Sequence, residues 1–397
     1  MRPASSSLPV HDFASILANS SIPGTAGYSV DASVTSGLAA LPAFRHEFDV
    51  GLSGPGIGII TSSMAIGNAC ASLFQWLSDI IGRRGTTCLG SAIMLLGAIL
   101  QSVAQNKATF IVGRLFVGMG ASLSGTVGPL YMTEIAPSCY RGRLVGIFAA
   151  CNNLGGILMS GLLLVGSYMS GNWSWRMPIM VQIAPAFLVM VLVYPLTPES
   201  PRYLVSRGRV DEARQVIAKY QTTSEDIDQP LVRIQIQQIE ESLSRMDVKP
   251  WDYRTFWNSR SGKRRLWIIF LYSVFQQWNG TGLLGTYLPA VLSLVGITNA
   301  HAQLGINVGQ SALSCVANLG GSTFVDRVRR RTLLMGSLGL YITFFVLMTL
   351  FSGLFNEGIA KHAMGIMIIV TIYTSTLSTG LFGKHSLSLN SDDLHDL

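Results

Sequence analysis

Residues 107–137 read KATFIVGRLFVGMGASLSGTVGPLYMTEIAP, and this stretch decides the fold class. Its central part, near residues 109–131, is apolar over a length that can cross a bilayer as a helix, which takes about 20 residues. Small residues recur at every fourth position, at Gly120, Ser124 and Gly128. Such a stripe lets a second helix approach closely, so the stretch predicts a membrane-spanning helix packed inside a bundle.

The composition of the whole chain points the same way. Its 397 residues are 49% hydrophobic and 12% charged, about half the charged share of a soluble domain, and the mean hydropathy is +0.41. These values argue against a soluble globule, a disordered chain and a coiled coil. The net charge of +7 does not indicate nucleic-acid binding, because the basic residues lie in loops between apolar runs. The sequence has no P-loop, nucleophile elbow or paired metal-ligand spacing, so we expect no enzyme activity, cofactor or metal site.

Nine apolar runs have spanning length, and residues 25–44 form a weaker tenth candidate. The nine lie near residues 55–77, 86–105, 109–131, 143–168, 177–197, 265–295, 302–325, 332–354 and 362–382. We therefore predict an all-α polytopic membrane protein. Its predicted parts are a tail (1–24), an amino-terminal transmembrane bundle (25–197), a cytoplasmic helical linker (198–264), an incomplete carboxyl-terminal bundle (265–382) and a polar tail (383–397).

The predicted linker is rich in charged residues, whereas the runs on either side are nearly uncharged. Apolar residues recur in it at helical spacing, and Pro230 is well placed to start a helix. We expect two or three amphipathic helices at the membrane surface. Lys and Arg concentrate in this linker and after even-numbered spans, which predicts that these segments are cytoplasmic.

An acidic residue followed by a basic loop occurs twice, as DIIGRR at 79–84 and DRVRRR at 326–331. A device repeated on both sides of a central linker indicates a duplicated helical bundle, which is typical of transporters. The alternative is that both are loops that only set the orientation in the membrane.

Three longer motifs follow in order. GRLFVGMG at 113–120 continues into PLYMTEIAP at 129–137, PESPRYL occupies 198–204, and QQWNGTGLLGTY occupies 276–287. Together they resemble the sugar porter family of the major facilitator superfamily, and the QWNG variant is most similar to its fungal hexose and lactose permease branch.

The resemblance implies a two-bundle fold of twelve spans that carries a sugar by alternating access. This chain supplies only nine to ten of these spans. We interpret its carboxyl-terminal bundle as truncated. The expected function is a secondary-active transporter for a hexose or disaccharide, coupled to a proton and located in the plasma membrane. The alternative is a non-transporting sugar sensor or an inactive truncated carrier. The oligomeric state is left open.

Arg114 lies inside an apolar run, where a charge costs a few kcal/mol and normally faces a partner or a wet cavity. The alternative is a side chain that reaches the outer surface. By resemblance its partner is Asp31, although GYSVD at 27–31 is two residues longer than the Gly-Tyr-Asp of the family. Protonation of Asp31 would weaken its attraction for Arg114 and couple a proton to the conformational equilibrium. The alternative for Asp31 is a loop in solvent.

Gln276 and Gln277 also lie in an apolar run, where an amide without partners would cost several kcal/mol. Amides donate and accept hydrogen bonds, as sugar hydroxyls do. By resemblance these two residues bind the sugar and Tyr287 lies near its path, whereas the alternative is that the amides only join helices.

Charged residues also cluster at the predicted inner helix ends, where the resemblance implies a cytoplasmic gate whose ion pairs form and separate between the two halves. They are Asp79, Arg83, Arg84, Glu134, Arg141, Glu199, Asp326 and Arg327.

Overall fold

The computed structural model describes residues 33–34, 36–137, 141–222, 226–244, 257, 260–278, 285–324, 330–357 and 361–378, and all regular structure in them is helical. The helices are α1 (Pro42–Phe48), α2 (Pro55–Ser72), α3 (Leu77–Ile81), α4 (Arg83–Ser102), α5 (Lys107–Ile135), α6 (Arg141–Gly166), α7 (Trp173–Leu196), α8 (Pro201–Ser206), α9 (Val210–Gln221), α10 (Pro230–Ser244), α11 (Arg260–Trp278), α12 (Leu288–Leu294), α13 (Ala300–Phe324), α14 (Arg330–Asn356) and α15 (Lys361–Ser378).

The long helices follow the predicted apolar runs. Among the described helices, α2, α4, α5, α6, α7, α11, α13, α14 and α15 have 18 residues or more. The run at 265–295 contains the described helices α11 and α12, and residues 279–284 between them lie outside the described part, so its prediction as one span stays a prediction. Length and hydropathy together select four stretches of the described chain as able to cross a membrane: Arg83–Ser102, Lys107–Ile135, Trp173–Leu196 and Leu338–Phe355.

Helix α5 lies at the centre of the first bundle, between α2 and α4. Gly120 faces α4, and a Cβ atom there would overlap the carbonyl oxygen of Gly90 and lie 2.6 Å from the backbone nitrogen of Met94. On the other side, a Cβ atom at Gly118 would overlap the carbonyl oxygen of Met64 in α2. The absence of side chains at these glycines is what lets the three backbones meet, which confirms the packing that was predicted for this run.

An aromatic cluster closes one end of this bundle. It consists of Phe44 and Phe48 from α1, Phe110 from α5 and Trp175 from α7. The Trp175 ring lies 5.3 Å from Phe48 and 5.9 Å from Phe44, between ring centroids. Edge-to-face contacts of this kind add to the hydrophobic gain of burying such large rings, so the cluster ties three helices together.

In the described part of the linker, α8, α9 and α10 form a small core of their own. The two longer helices, α9 and α10, match the helical spacing that the sequence predicted. Ala213, Ile217, Val232 and Ile236 are buried in this core together with Leu204. The linker is also joined to the first bundle, because the Gln221 side chain donates hydrogen bonds to the carbonyl oxygens of Glu134 and Ile135 at the end of α5. These bonds satisfy carbonyl groups that a helix end leaves without partners.

In the second half, α13 packs against α15, and α14 packs against α15. Helix α13 also runs along α6 over a long contact, which joins the two halves. Helices α6 and α13 therefore form the main described contact between the two halves.

Candidate functional site

A charged cluster surrounds Arg83 at the start of α4. Its guanidinium donates to both carboxylate oxygens of Glu134, at 3.0 Å and 2.9 Å, and to Asp79 at 2.8 Å. The Arg83 side chain is 6% exposed and that of Glu134 is 10% exposed, whereas that of Asp79 is 51% exposed. The two-point contact with Glu134 is therefore the buried one, and it is the stronger geometry for an arginine.

Glu199 completes this cluster from the segment that leads into the linker. One of its carboxylate oxygens accepts hydrogen bonds from the backbone N–H groups of Arg83, at 2.9 Å, and Arg84, at 3.4 Å. A carboxylate at this position satisfies free N–H groups of the helix start and opposes its positive dipole. Gly82 has φ +92° and leaves room for the approach, since a Cβ atom there would lie 2.8 Å from Glu199 Oε2.

The structure brings together four of the eight residues predicted for a gate: Asp79, Arg83, Glu134 and Glu199. Arg84 points elsewhere and donates to the carbonyl oxygen of Tyr194, with its guanidinium 5.0 Å from the Tyr194 ring centroid. Arg141 is the first residue of α6, and nothing is described of its side chain. Asp326 and Arg327 lie outside the described residues, so the predicted pairing between the two halves stays a prediction.

Arg114 lies in the first third of α5 and is buried, with 1% of its surface exposed. Its guanidinium lies 5.9 Å from the ring centroid of Phe110, a member of the aromatic cluster one turn earlier in the helix. The side chain therefore lies below that cluster and does not reach the surface at that end of the bundle. Asp31 lies outside the described residues, so its pairing with Arg114 stays a prediction.

The predicted sugar-binding residues lie on either side of residues 279–284, which are outside the described part. Gln276 and Gln277 belong to the last described turn of α11, and nothing is described of their side chains. Tyr287 precedes α12, is half-buried and packs against the larger hydrophobic cluster that contains the four aromatic residues. Its hydroxyl would lie 3.6 Å from a Cβ atom at Gly58 of α2, so this side chain of the second half faces the first.

A polar seam, which the sequence did not lead us to predict, joins α6 and the helical residues 36–38 to α13. Asn307 donates to Ser36 Oγ at 3.1 Å, Ser160 and Ser311 hydroxyls lie 3.4 Å apart, and Ser167 Oγ lies 2.7 Å from His301 Nδ1. A sequence signal existed, because the polar residues Gln303, Asn307, Ser311, Ser314 and Asn318 recur every three or four positions in α13. Such spacing predicts a polar helix face.

The seam and the charged cluster lie at opposite ends of the first bundle. Helix α6 begins just after α5 ends, so Arg141 lies near Glu134, and Ser160 and Ser167 lie toward the other end. Leu163 of α6 and Leu304 of α13 are buried beside the seam at 0% and 1% exposure. The two halves are thus closed against each other at the end that carries the aromatic cluster.

Comparison with known proteins explains this arrangement. The family model described as "Sugar (and other) transporter" matches residues 25–381. The chain belongs to this sugar transporter family. The match covers both bundles and the linker, so the family resemblance deduced from the motifs is confirmed.

The curated relatives of this sugar transporter family member are transporters rather than enzymes. Among them are the probable inositol transporter 2 of Arabidopsis thaliana, 29% identical over 371 residues, and the high-affinity glucose transporter 1 of Candida albicans, 29% identical over 289 residues. These matches cover 92% and 72% of this chain but only 62% and 52% of the relatives. The galactose-proton symporter of Escherichia coli is 26% identical, with 89% of this chain and 73% of the relative covered.

Solved structures show the same fold. The proton:xylose symporter XylE bound to 6-bromo-6-deoxy-D-glucose superposes with a TM-score of 0.78 at 21% identity, over 95% of this chain and 81% of that one. A partially occluded inward open form of XylE from E. coli gives 0.75 at 21% identity, over 96% and 87%. The chain is therefore a multi-pass membrane protein with the major facilitator fold, as predicted.

Proposed function

We propose that this chain moves a sugar or a related polyol across a membrane by alternating access, coupled to a proton. The observation that carries the proposal is the polar seam, which closes the two halves at one end through exchangeable hydrogen bonds. Each such bond contributes only about 0.5–1.5 kcal/mol net. A seam of this kind can therefore open and close with small changes in free energy, as a carrier requires.

We further propose the orientation that the basic residues predict, with the charged cluster and the linker at 198–264 in the cytoplasm. The seam then closes the outer side of the protein. The bundles are proposed to extend over 25–197 and 265–382, and the membrane is proposed to be the plasma membrane. The names of the relatives, which include inositol, glucose and galactose carriers, support a polyhydroxylated substrate.

Within this proposal, Gln276, Gln277 and Tyr287 contact the sugar. Support comes from the position of Tyr287, which faces α2 across the space between the halves. Amide groups at the end of α11 would exchange hydrogen bonds with sugar hydroxyls in place of water. The inner gate is proposed to include Asp79, Arg83, Glu134 and Glu199 on the first half and Asp326 and Arg327 on the second.

Asp31 and Arg114 are proposed as the proton-coupling pair. The burial of Arg114 supports the proposal, because a buried guanidinium favours a nearby carboxylate in its charged form. Protonation of the carboxylate would remove this attraction and so change the conformational equilibrium. The aromatic cluster lies between Arg114 and the outer end of the bundle, so protons are expected to reach the pair from the central space rather than along α5.

Uptake of labelled glucose, galactose and lactose by a transport-deficient host tests the proposal, with and without a proton uncoupler and after surface expression has been verified. We expect uptake that the uncoupler abolishes and that falls at least about tenfold in Asp31→Asn. Asp49→Asn is the matched control, since Asp49 is exposed between α1 and α2. Sugar binding without uptake, by a correctly inserted protein, would refute transport and favour the non-transporting sensor.

A further inference from the structure

We propose that His301 is a second proton-binding site, separate from Asp31 and Arg114, which holds the seam end of the carrier closed when it is protonated. His301 is the second residue of α13. Its ring stacks on Tyr168 with centroids 4.3 Å apart and planes 14° from parallel, and its Nδ1 atom lies 2.7 Å from Ser167 Oγ. Both partners follow the end of α6, so one imidazole joins the two halves.

The neighbouring bonds determine which nitrogen carries the hydrogen. Ser167 Oγ also lies 2.6 Å from the carbonyl oxygen of Leu164, and only the hydroxyl can donate in that contact. A hydroxyl has one hydrogen. When that hydrogen is on Leu164, Ser167 accepts the bond from His301, and we infer this arrangement for the neutral ring, with the hydrogen on Nδ1 and Nε2 as the atom that takes up a further proton.

Protonation at Nε2 strengthens both contacts. The Nδ1–H group becomes a charged donor, and such donors form stronger hydrogen bonds than neutral ones. The stack on Tyr168 becomes a cation–π contact. Both gains are lost when the two halves separate, so lowering the pH is expected to favour closure.

The surroundings allow this response. Tyr168 is 72% exposed, so the solution on that side reaches the stack. The backbone N–H of His301 donates to Asn299 Oδ1 at 2.9 Å, which fixes the start of α13.

Other titratable groups lie on neighbouring elements. Lys361 and His362 begin α15, which packs on α13. Glu47 of α1 and Arg176 of α7, which packs on α6, lie 3.8 Å apart as an ion pair. Between Leu288 and Leu294, α12 carries no charged residue. Tyr168 is the titratable residue whose contact with His301 the structure records.

The proposal rests on alternating access, so its test reads closure rather than transport. Leu304 is buried beside the seam and is replaced by cysteine as a reporter in full-length protein whose native cysteines are changed to serine. We measure its labelling by a membrane-impermeant maleimide between pH 5.5 and 8.0, without sugar. Each rate is divided by the rate of the same protein with His301→Gln, which keeps an amide donor but cannot become charged. The division removes the intrinsic pH dependence of the thiol.

We expect this ratio to fall about three- to tenfold from pH 8.0 to pH 5.5. The matched control His46→Gln, at an exposed outer position on α1, is expected to keep the full pH response. A ratio independent of pH, or a reporter that is never labelled, overturns the proposal. Uptake together with a labelling ratio that does not change with pH would refute the role of His301 in closure and leave transport standing. A pH-dependent labelling ratio without uptake would support the role of His301 and refute transport. If His301→Gln does not fold, His301→Asn replaces it.

Discussion

The charged cluster allows a sharp comparison, because two carboxylates contact the same guanidinium at nearly the same distance. Asp79 lies 2.8 Å from Arg83 and Glu134 lies 2.9 Å from it, but their side chains are 51% and 10% exposed. We compare Glu134→Gln with Asp79→Asn, since both changes remove one negative charge and keep the shape of the side chain.

The expected magnitudes follow from burial. Removing one partner of a buried ion pair costs about 3–5 kcal/mol, because the remaining charge is left in a poor solvent. Asp79 and the backbone of Ser78, which also accepts from Arg83 at 2.9 Å, compensate in part, so we expect Glu134→Gln to lower the free energy of unfolding by about 3 kcal/mol. An exposed pair contributes about 0–1 kcal/mol, so we expect Asp79→Asn to lower it by less than about 1 kcal/mol.

Unfolding by a denaturing detergent in mixed micelles, followed by helical circular dichroism, measures both values. Arg83→Met, alone and in the Glu134→Gln background, completes a double-mutant cycle. We expect the double variant to lose less free energy of unfolding than the sum of the two single losses. Equal losses in Glu134→Gln and Asp79→Asn would show that burial does not govern this cluster and would refute the reasoning.

Two further predictions use matched pairs under the same unfolding conditions. Gly120→Ala is expected to lower the free energy of unfolding by about 1–3 kcal/mol through overlap with the α4 backbone. Gly161→Ala, with open space around it, should be neutral or slightly stabilising. Similar losses in the two variants would contradict this account of the packing. Trp175→Ala, which removes a side chain with 0% exposure, should cost about 3–5 kcal/mol. Trp173→Ala, at a position 59% exposed, should cost far less, and a comparable loss would show that the aromatic cluster is not what stabilises that end of the bundle.

The helices of this protein were largely predictable from its sequence because a bilayer imposes a simple condition on them. Every backbone polar group in the hydrocarbon must be satisfied within the segment, so an apolar run of sufficient length becomes a helix. Eight of the nine predicted runs match single described helices within about five residues at each end. The run at 265–295 contains α11 and α12, and residues 279–284 between them lie outside the described part, so a single span there stays a prediction.

The candidate site was less predictable, because its contacts join residues far apart in the chain. The sequence indicated that Arg83, Glu134 and Glu199 lie at inner helix ends, but it did not indicate that all three meet in the first half. The seam of Asn307 and His301 was missed altogether. Its polar residues recur at helical spacing, yet that pattern does not tell which helix they face.

What the sequence determined by itself was the all-helical membrane fold, the linker and the family, because hydropathy, charge and local motifs act within single segments. Only the tertiary structure decided which segments touch. It placed α5 between α2 and α4, closed the two halves along α6 and α13, and buried Arg114 below the aromatic cluster. These choices depend on the fit of small and large side chains between helices, and that fit exists only once the helices are packed together.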